Sequence, residues 1–284
     1  MLMKYAICNE TFQSQDWAET CQAVAESGYQ GIEVAPFTLA EDVGTISAHA
    51  RHVYANTAQR AGLDIVGLHW LLVSPKGLSV TDADTTIRER TSRYLSELVH
   101  FCADLGGHIL VFGSPSQRRL PTDVPQESAS PVAIDRLKAC IAPALEIAHR
   151  HGITLCLEPL PAPEADFILT LQSAVDILAT MQHPSLKTIF DVKSASSEGK
   201  PLPELFHRYA PYIAHVHAND ANRRGPGFGD TDYVPILSAI ESTGYEGYVS
   251  VEVFDYTPDP YTIARESLAY MQRCTPNAEV SHAL

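Results

Sequence analysis

Eight short apolar or β-branched runs, each followed by a longer stretch with helical spacing, constrain this chain more than any other feature. The runs are KYAIC (4–8), GIEVA (31–35), DIVGLHW (64–70), HILVFG (108–113), ITLCLE (153–158), KTIFD (187–191), YIAHVH (212–217) and GYVSVEVF (247–254). Periodicity between them predicts helices over 15–27, 45–61, 82–105, 131–151, 170–182, 201–209, 232–243 and 259–274. Ser27-Gly28, Ala61-Gly62, Gly106-Gly107 and Gly152 read as helix stops, and Pro131 suits the first turn of its helix. Strands that are apolar almost throughout are buried on both faces, as in a parallel sheet covered by helices. Eight strand–helix units in 284 residues predict an α/β fold closed into a single (β/α)8 TIM barrel, with the site at the C-terminal ends of the strands. A doubly wound open sheet is the alternative. The segment 114–130 reads as the longest irregular piece, on the face where a barrel carries its chemistry.

Composition narrows the function classes. A hydrophobic content of 45% and a charged content of 19% belong to an ordinary folded protein. The formal charge of −14 opposes nucleic acid and anionic membranes as partners. No apolar run approaches the roughly 20 residues of a membrane helix, and MLMKYAICNE has no signal-peptide pattern. The six cysteines are scattered without a CxxC pair, which predicts reduced, buried thiols and a cytoplasmic protein.

Four consecutive strand ends carry metal-ligand residue types: Glu158 in LCLEPLP, Asp191 in TIFDVKS, His217 in AHVHAND and Glu252 in VSVEVFD. Any one of these serves equally well as a helix cap or a surface charge. Burying all four around one axis is costly unless they are paired or share a cation. Three carboxylates and one imidazole suit a single divalent ion. Mn²⁺ is expected first, with Mg²⁺, Co²⁺ or Zn²⁺ as alternatives.

With these residues in place, and with HANDANRRGPGFGD following strand seven, the chain resembles the xylose-isomerase-like barrels, the sugar phosphate isomerase/epimerase family that includes ketose 3-epimerases. The resemblance covers most of the chain and implies one such domain over 1–284. It assigns Glu158, Asp191, His217 and Glu252 to the metal, and makes Glu158 and Glu252 the acid/base pair as well. It also places Arg223 on substrate hydroxyls or a phosphate, and Glu164 beside the reacting centre. The implied activity is metal-dependent isomerisation or epimerisation of a sugar or sugar phosphate, by proton abstraction next to a carbonyl through a metal-stabilised enediolate. Homodimers or homotetramers are an expectation of the resemblance.

One position departs from the epimerase pattern. Ser194 stands where those enzymes carry a His three residues after the strand-six Asp. This keeps open a dehydratase acting on a keto-inositol or dehydroshikimate. An endonuclease IV-like repair enzyme is disfavoured by the charge and by too few histidines, and a non-catalytic metal-keeping barrel by the opposed carboxylates. Four further residues are expected near substrate. His69 either hydrogen-bonds substrate or packs under Trp70. Lys193 either neutralises an oxyanion or meets a loop acid or solvent. Gln117 and Arg118 either bind a distal hydroxyl or phosphate or stay solvated. Glu10 and Glu33 are expected in structural salt bridges, and His215 is expected on the side opposite His217, under a helix.

Overall fold

The computed structural model describes residues 3–13 and 15–275. Its strands are β1 (Lys4–Cys8), β2 (Gly31–Val34), β3 (Asp64–Leu68), β4 (Ile109–Phe112), β5 (Thr154–Leu157), β6 (Leu186–Asp191), β7 (Ile213–Ala218) and β8 (Tyr248–Val251). Each pairs in parallel with the next, and β1 pairs with β8, so the sheet closes into a barrel as the alternation predicts. The open-sheet alternative is excluded.

The helices are α1 (Trp17–Glu26), α2 (Ala48–Arg60), α3 (Thr85–Leu105), α4 (Gln126–His151), α5 (Leu171–Met181), α6 (Val192–Ser196), α7 (Leu202–Tyr209), α8 (Tyr233–Ser242) and α9 (Pro260–Cys274). Local chemistry sets many of their ends. Asp16, Ser47, Asp84, Asp232 and Asp259 accept from first-turn amides. Gly106 and Gly152 close α3 and α4 in the left-handed conformation. No described helix is long and apolar enough to cross a membrane.

Two expectations change here. Helix α4 begins at Gln126, so it absorbs the end of the segment read as irregular and places Pro131 inside the helix. Pro131 and Pro143 both lie on the exposed side, where water can meet the carbonyls their missing N–H groups leave free. Helix α6 was not expected. It is a single short helix that starts where the Asp191 side chain accepts from the Ser194 amide.

Alternation along the strands sorts the barrel interior by height. Ala6, Val66, Ile109, Val111, Cys156, Ile189 and Tyr248 form its apolar floor. A larger core lies between the strands and the helices. Moving two residues up a strand keeps a side chain on the same face. Tyr248 is therefore followed inward by Ser250 and Glu252, Ile189 by Asp191, Cys156 by Glu158, and His215 by His217. Polar residues thus stack above an apolar plug, at the strands' C-terminal ends.

Candidate metal centre

Glu158, Asp191, His217 and Glu252 are all buried, and one ligand atom from each falls within 4.8 Å of the others. Different elements hold each of them. Glu158 directly follows β5, and its side chain occupies space that only a glycine at 113 leaves open: a Cβ there would lie 2.1 Å from Glu158 Oε2. Asp191 ends β6. Its Oδ1 accepts from the Ser194 amide and its Oδ2 from Asn219 Nδ2, both at 2.6 Å. Asn219 is aligned in turn by the Lys193 amide, which donates to its Oδ1 at 2.8 Å. Glu252 follows β8, and its Oε1 accepts from Trp70 Nε1 at 3.0 Å. Trp70 takes a left-handed backbone, φ +53°, which turns its indole back over the barrel mouth.

His217 faces two ways. Its Nε2 lies 3.2 Å from both oxygens of Glu33, and its Nδ1 lies 3.1 Å from Glu252 Oε2 and 4.0 Å from Glu158 Oε1. An Nε2–H donated to Glu33 leaves the Nδ1 lone pair facing carboxylates. His217 Nδ1 and Glu252 Oε2 are both buried and neither has a hydrogen-bond partner. Burial pushes the Glu158 carboxyl well above the usual carboxylate range, and the nearby Glu252 and Asp191 charges push it further. Asp191 is raised by burial and by Glu252. A divalent cation would relieve this conflict, by taking the orphaned lone pairs and offsetting the crowded charge. The donor set of three oxygens and one nitrogen fits such an ion.

Below the quartet, Glu33 is the hub of a buried network. It receives His215 Nε2 at 2.9 Å as well as His217, and Cys8 Sγ donates to it at 3.8 Å. Burial disfavours its charge, but the adjacent imidazoles of His215, His217 and His69 outweigh that and hold it well below the carboxylate range. The expectation for His215 is thereby corrected. Residues two apart on a strand share a face, so His215 points inward with His217, and their rings meet edge to face at 5.1 Å. Glu33 is paired as expected, with imidazoles inside the barrel.

The other residues singled out in the sequence have varied positions. His69 lies just past β3, 0% exposed, with Nε2 2.9 Å from Glu10 Oε2 and Nδ1 3.6 Å from Glu33 Oε1. Its polar neighbours are thus acidic side chains, where a substrate hydrogen bond or packing under Trp70 was expected. Lys193 and Glu164 pair with each other at 2.7 Å. The Lys193 ammonium also sits 5.1 Å from the Phe254 ring centre, and the Arg223 guanidinium 5.5 Å from it. The main-chain carbonyl of Gln117 accepts from Val80 at 2.8 Å. Arg118 corrects its expectation: neither solvated nor open to a ligand, it is buried with its guanidinium spent on the carbonyls of Gly113, Glu158, Phe167 and Ile168.

Sequence reasoning gave no role at the site to Trp70, Gly113, Asn219 or the aromatic side of the mouth. Trp70 stands between Phe37 at 5.8 Å and Phe254 at 6.2 Å. A signal existed for two of them. Asn219 lies two residues after His217, and Gly113 ends the fourth apolar run, where a backbone must pass close to a neighbouring side chain.

Known proteins share this architecture. The chain is 23% identical over 277 residues to the 3-dehydro-D-guloside 4-epimerase of Escherichia coli K12, spanning 96% of this chain and all of that protein. The crystal structure of 3-keto-D-glucoside 4-epimerase from E. coli superposes with a TM-score of 0.81 at 21% identity, over 96% of this chain and 100% of that one. D-psicose 3-epimerase from Clostridium cellulolyticum H10, solved with D-tagatose, superposes with a TM-score of 0.82 at 20% identity, over 96% and 99%. A family model described as xylose isomerase-like TIM barrel matches residues 21–274. This chain belongs to the xylose isomerase-like TIM-barrel family.

Proposed function

We propose that this protein is a divalent-metal-dependent sugar epimerase that inverts a carbon next to a carbonyl. The observation that carries the reading is the convergence of Glu158, Asp191, His217 and Glu252, with His217 Nδ1 and Glu252 Oε2 buried, 3.1 Å apart and not hydrogen-bonded. The similar proteins named above share one chemical denominator. Their names put the inverted carbon beside a ketone in both cases, carbon 4 of a 3-keto sugar and carbon 3 of a 2-ketose.

In this reading Glu158, Asp191, His217 and Glu252 hold the cation, with Mn²⁺ the ion proposed. When bound, it would polarise the substrate carbonyl and offset charge developing on its oxygen. The chain's own residues do the rest. Glu158 follows β5 and Glu252 follows β8, so they reach the substrate from different sides of the mouth. One carboxylate removes the proton from the carbon beside the carbonyl, and the other returns a proton to the opposite face. Trp70 Nε1 anchors one oxygen of Glu252 and leaves the second without a hydrogen bond. Phe37, Trp70 and Phe254 offer apolar surface to the C–H face of a sugar and keep water from the exchanging proton. Arg223, and Lys193 paired with Glu164, bring polar groups to the rim for substrate hydroxyls or a phosphate.

Incubation of the Mn²⁺-loaded protein with ketoses, sugar phosphates, keto-glycosides and cyclic keto-polyols in D₂O tests the proposal. Incorporation of one deuterium with inversion at that carbon is expected. Loss of water from the substrate would move the assignment to a dehydratase. No exchange in any of them, with metal bound, would refute the epimerase.

A further inference from the structure

Beside the quartet, Glu10, His69 and Glu252 make a second convergence. Each offers one ligand atom, and those atoms also lie within 4.8 Å of one another. Glu10 sits in the 3₁₀ turn that follows β1 (Asn9–Phe12) and His69 just past β3. Both are inaccessible, at 1% and 0% exposure. Neither oxygen of Glu10 has a hydrogen-bond partner, and neither does His69 Nε2, although Glu10 Oε2 is only 2.9 Å from that nitrogen. The two atoms are close but not aligned as donor and acceptor. The quartet shows the same signature, where His217 Nδ1 and Glu252 Oε2 lie 3.1 Å apart, buried and without a hydrogen bond. Ligand atoms aimed at a common third point produce this pattern. A simple ion pair would line up its N–H with the oxygen.

Charge points the same way. Glu10, Glu33, Glu158, Asp191 and Glu252 are all buried in the upper barrel. The imidazoles around Glu33 already offset its charge, and a cation held by the quartet would still leave Glu10 and His69 without a hydrogen bond. The neighbouring group Cys8, Glu33, His69 and His217 does not compete as a site, because Glu33 is already satisfied by His215, His217 and Cys8.

We propose that Glu10, His69 and Glu252 form a second divalent-cation site, joined to the first through Glu252 as a bridging carboxylate. It rests on the metal-centre reading above, since Glu252 is common to both. Two oxygens and one imidazole nitrogen suit the same class of ion, Mn²⁺ or Co²⁺, with water completing the coordination. A shared carboxylate makes the two affinities interdependent.

The test uses the full-length protein, stripped with a chelator and titrated with Mn²⁺. Bound metal is counted by elemental analysis and by calorimetry, and low-temperature EPR is recorded on the loaded wild type. The expected result is two Mn²⁺ per chain with an exchange-coupled spectrum, falling to one uncoupled ion in Glu10→Gln and in His69→Asn. The wild-type EPR spectrum decides the matter even where a variant fails to fold. One uncoupled ion in the wild type would overturn the second site and leave the epimerase proposal standing. Two ions in the wild type and still two in the folded variants would place the extra ion elsewhere and also overturn it. No bound ion at all would refute both readings.

Discussion

Arg118 donates to the main-chain carbonyl of Glu158 at 2.7 Å, from a guanidinium that is itself fully enclosed. The same side chain reaches the Gly113 carbonyl at 2.5 Å and the Phe167 and Ile168 carbonyls of the loop after β5. It ties the end of β4 to the end of β5 and sets the backbone from which Glu158 projects. Burial lowers the Arg118 pKa to about 10, with the Glu158 charge opposing that drop, so the group stays cationic under neutral conditions.

Arg118→Met removes these donors and leaves several buried carbonyls unpaired. At roughly 1–3 kcal/mol for each unsatisfied group, the variant is expected to lose about 3 kcal/mol or more of stability. Arg118→Lys should fall between, since one ammonium cannot span all four carbonyls. Thermal denaturation of the three proteins checks this. Equal melting temperatures for wild type and Arg118→Met would show that the brace contributes nothing.

Gly113→Ala places a methyl group 2.1 Å from Glu158 Oε2. Either the carboxylate or the strand end must move. A misplacement near 1 Å in a reacting group can cost about 100-fold, so a drop of that order in deuterium exchange is expected. Mn²⁺ binding should weaken too, with the far-UV circular dichroism of the wild type retained. Full activity in Gly113→Ala would argue that Glu158 does not need its present position.

Trp70→Phe keeps most of the ring that packs with Phe37 and Phe254 but deletes the N–H donated to Glu252 Oε1. A hydrogen bond to a charged group contributes about 1.5 kcal/mol or more, equivalent to about tenfold. The expected loss of about tenfold should fall on kcat, with KM nearly unchanged, because the contact orients a reacting carboxylate. A change confined to KM would assign Trp70 to substrate stacking alone.

Glu33→Gln retains the shape of the hub but removes the charge that faces His217 Nε2. Outer partners of metal-bound histidines typically contribute about 10–100-fold in metal affinity. A fall of that size in Mn²⁺ affinity is expected by calorimetric titration. Unchanged affinity would mean that His217 holds its orientation without Glu33.

The sequence alone determined the barrel and the four residues of the candidate centre. Strand and helix periods are local properties, and eight repeats of the unit leave few ways to bury every apolar strand. The position of Glu158, Asp191, His217 and Glu252 at strand ends is likewise a local fact, since each follows an apolar run by a residue or so. The tertiary structure decided the partners. Glu10, Glu33 and His69 come from three different strand ends, and only closure of β1 onto β8 brings Glu10 beside Glu252. Arg118 reads as loop charge until the β5 loop folds over it, and Trp70 reads as core until its positive φ aims the indole at Glu252. His215 was the exception, since strand alternation alone already places it on the face of His217. Which side chain meets which across the barrel axis depends on shear and closure, and those are set by all eight strands together.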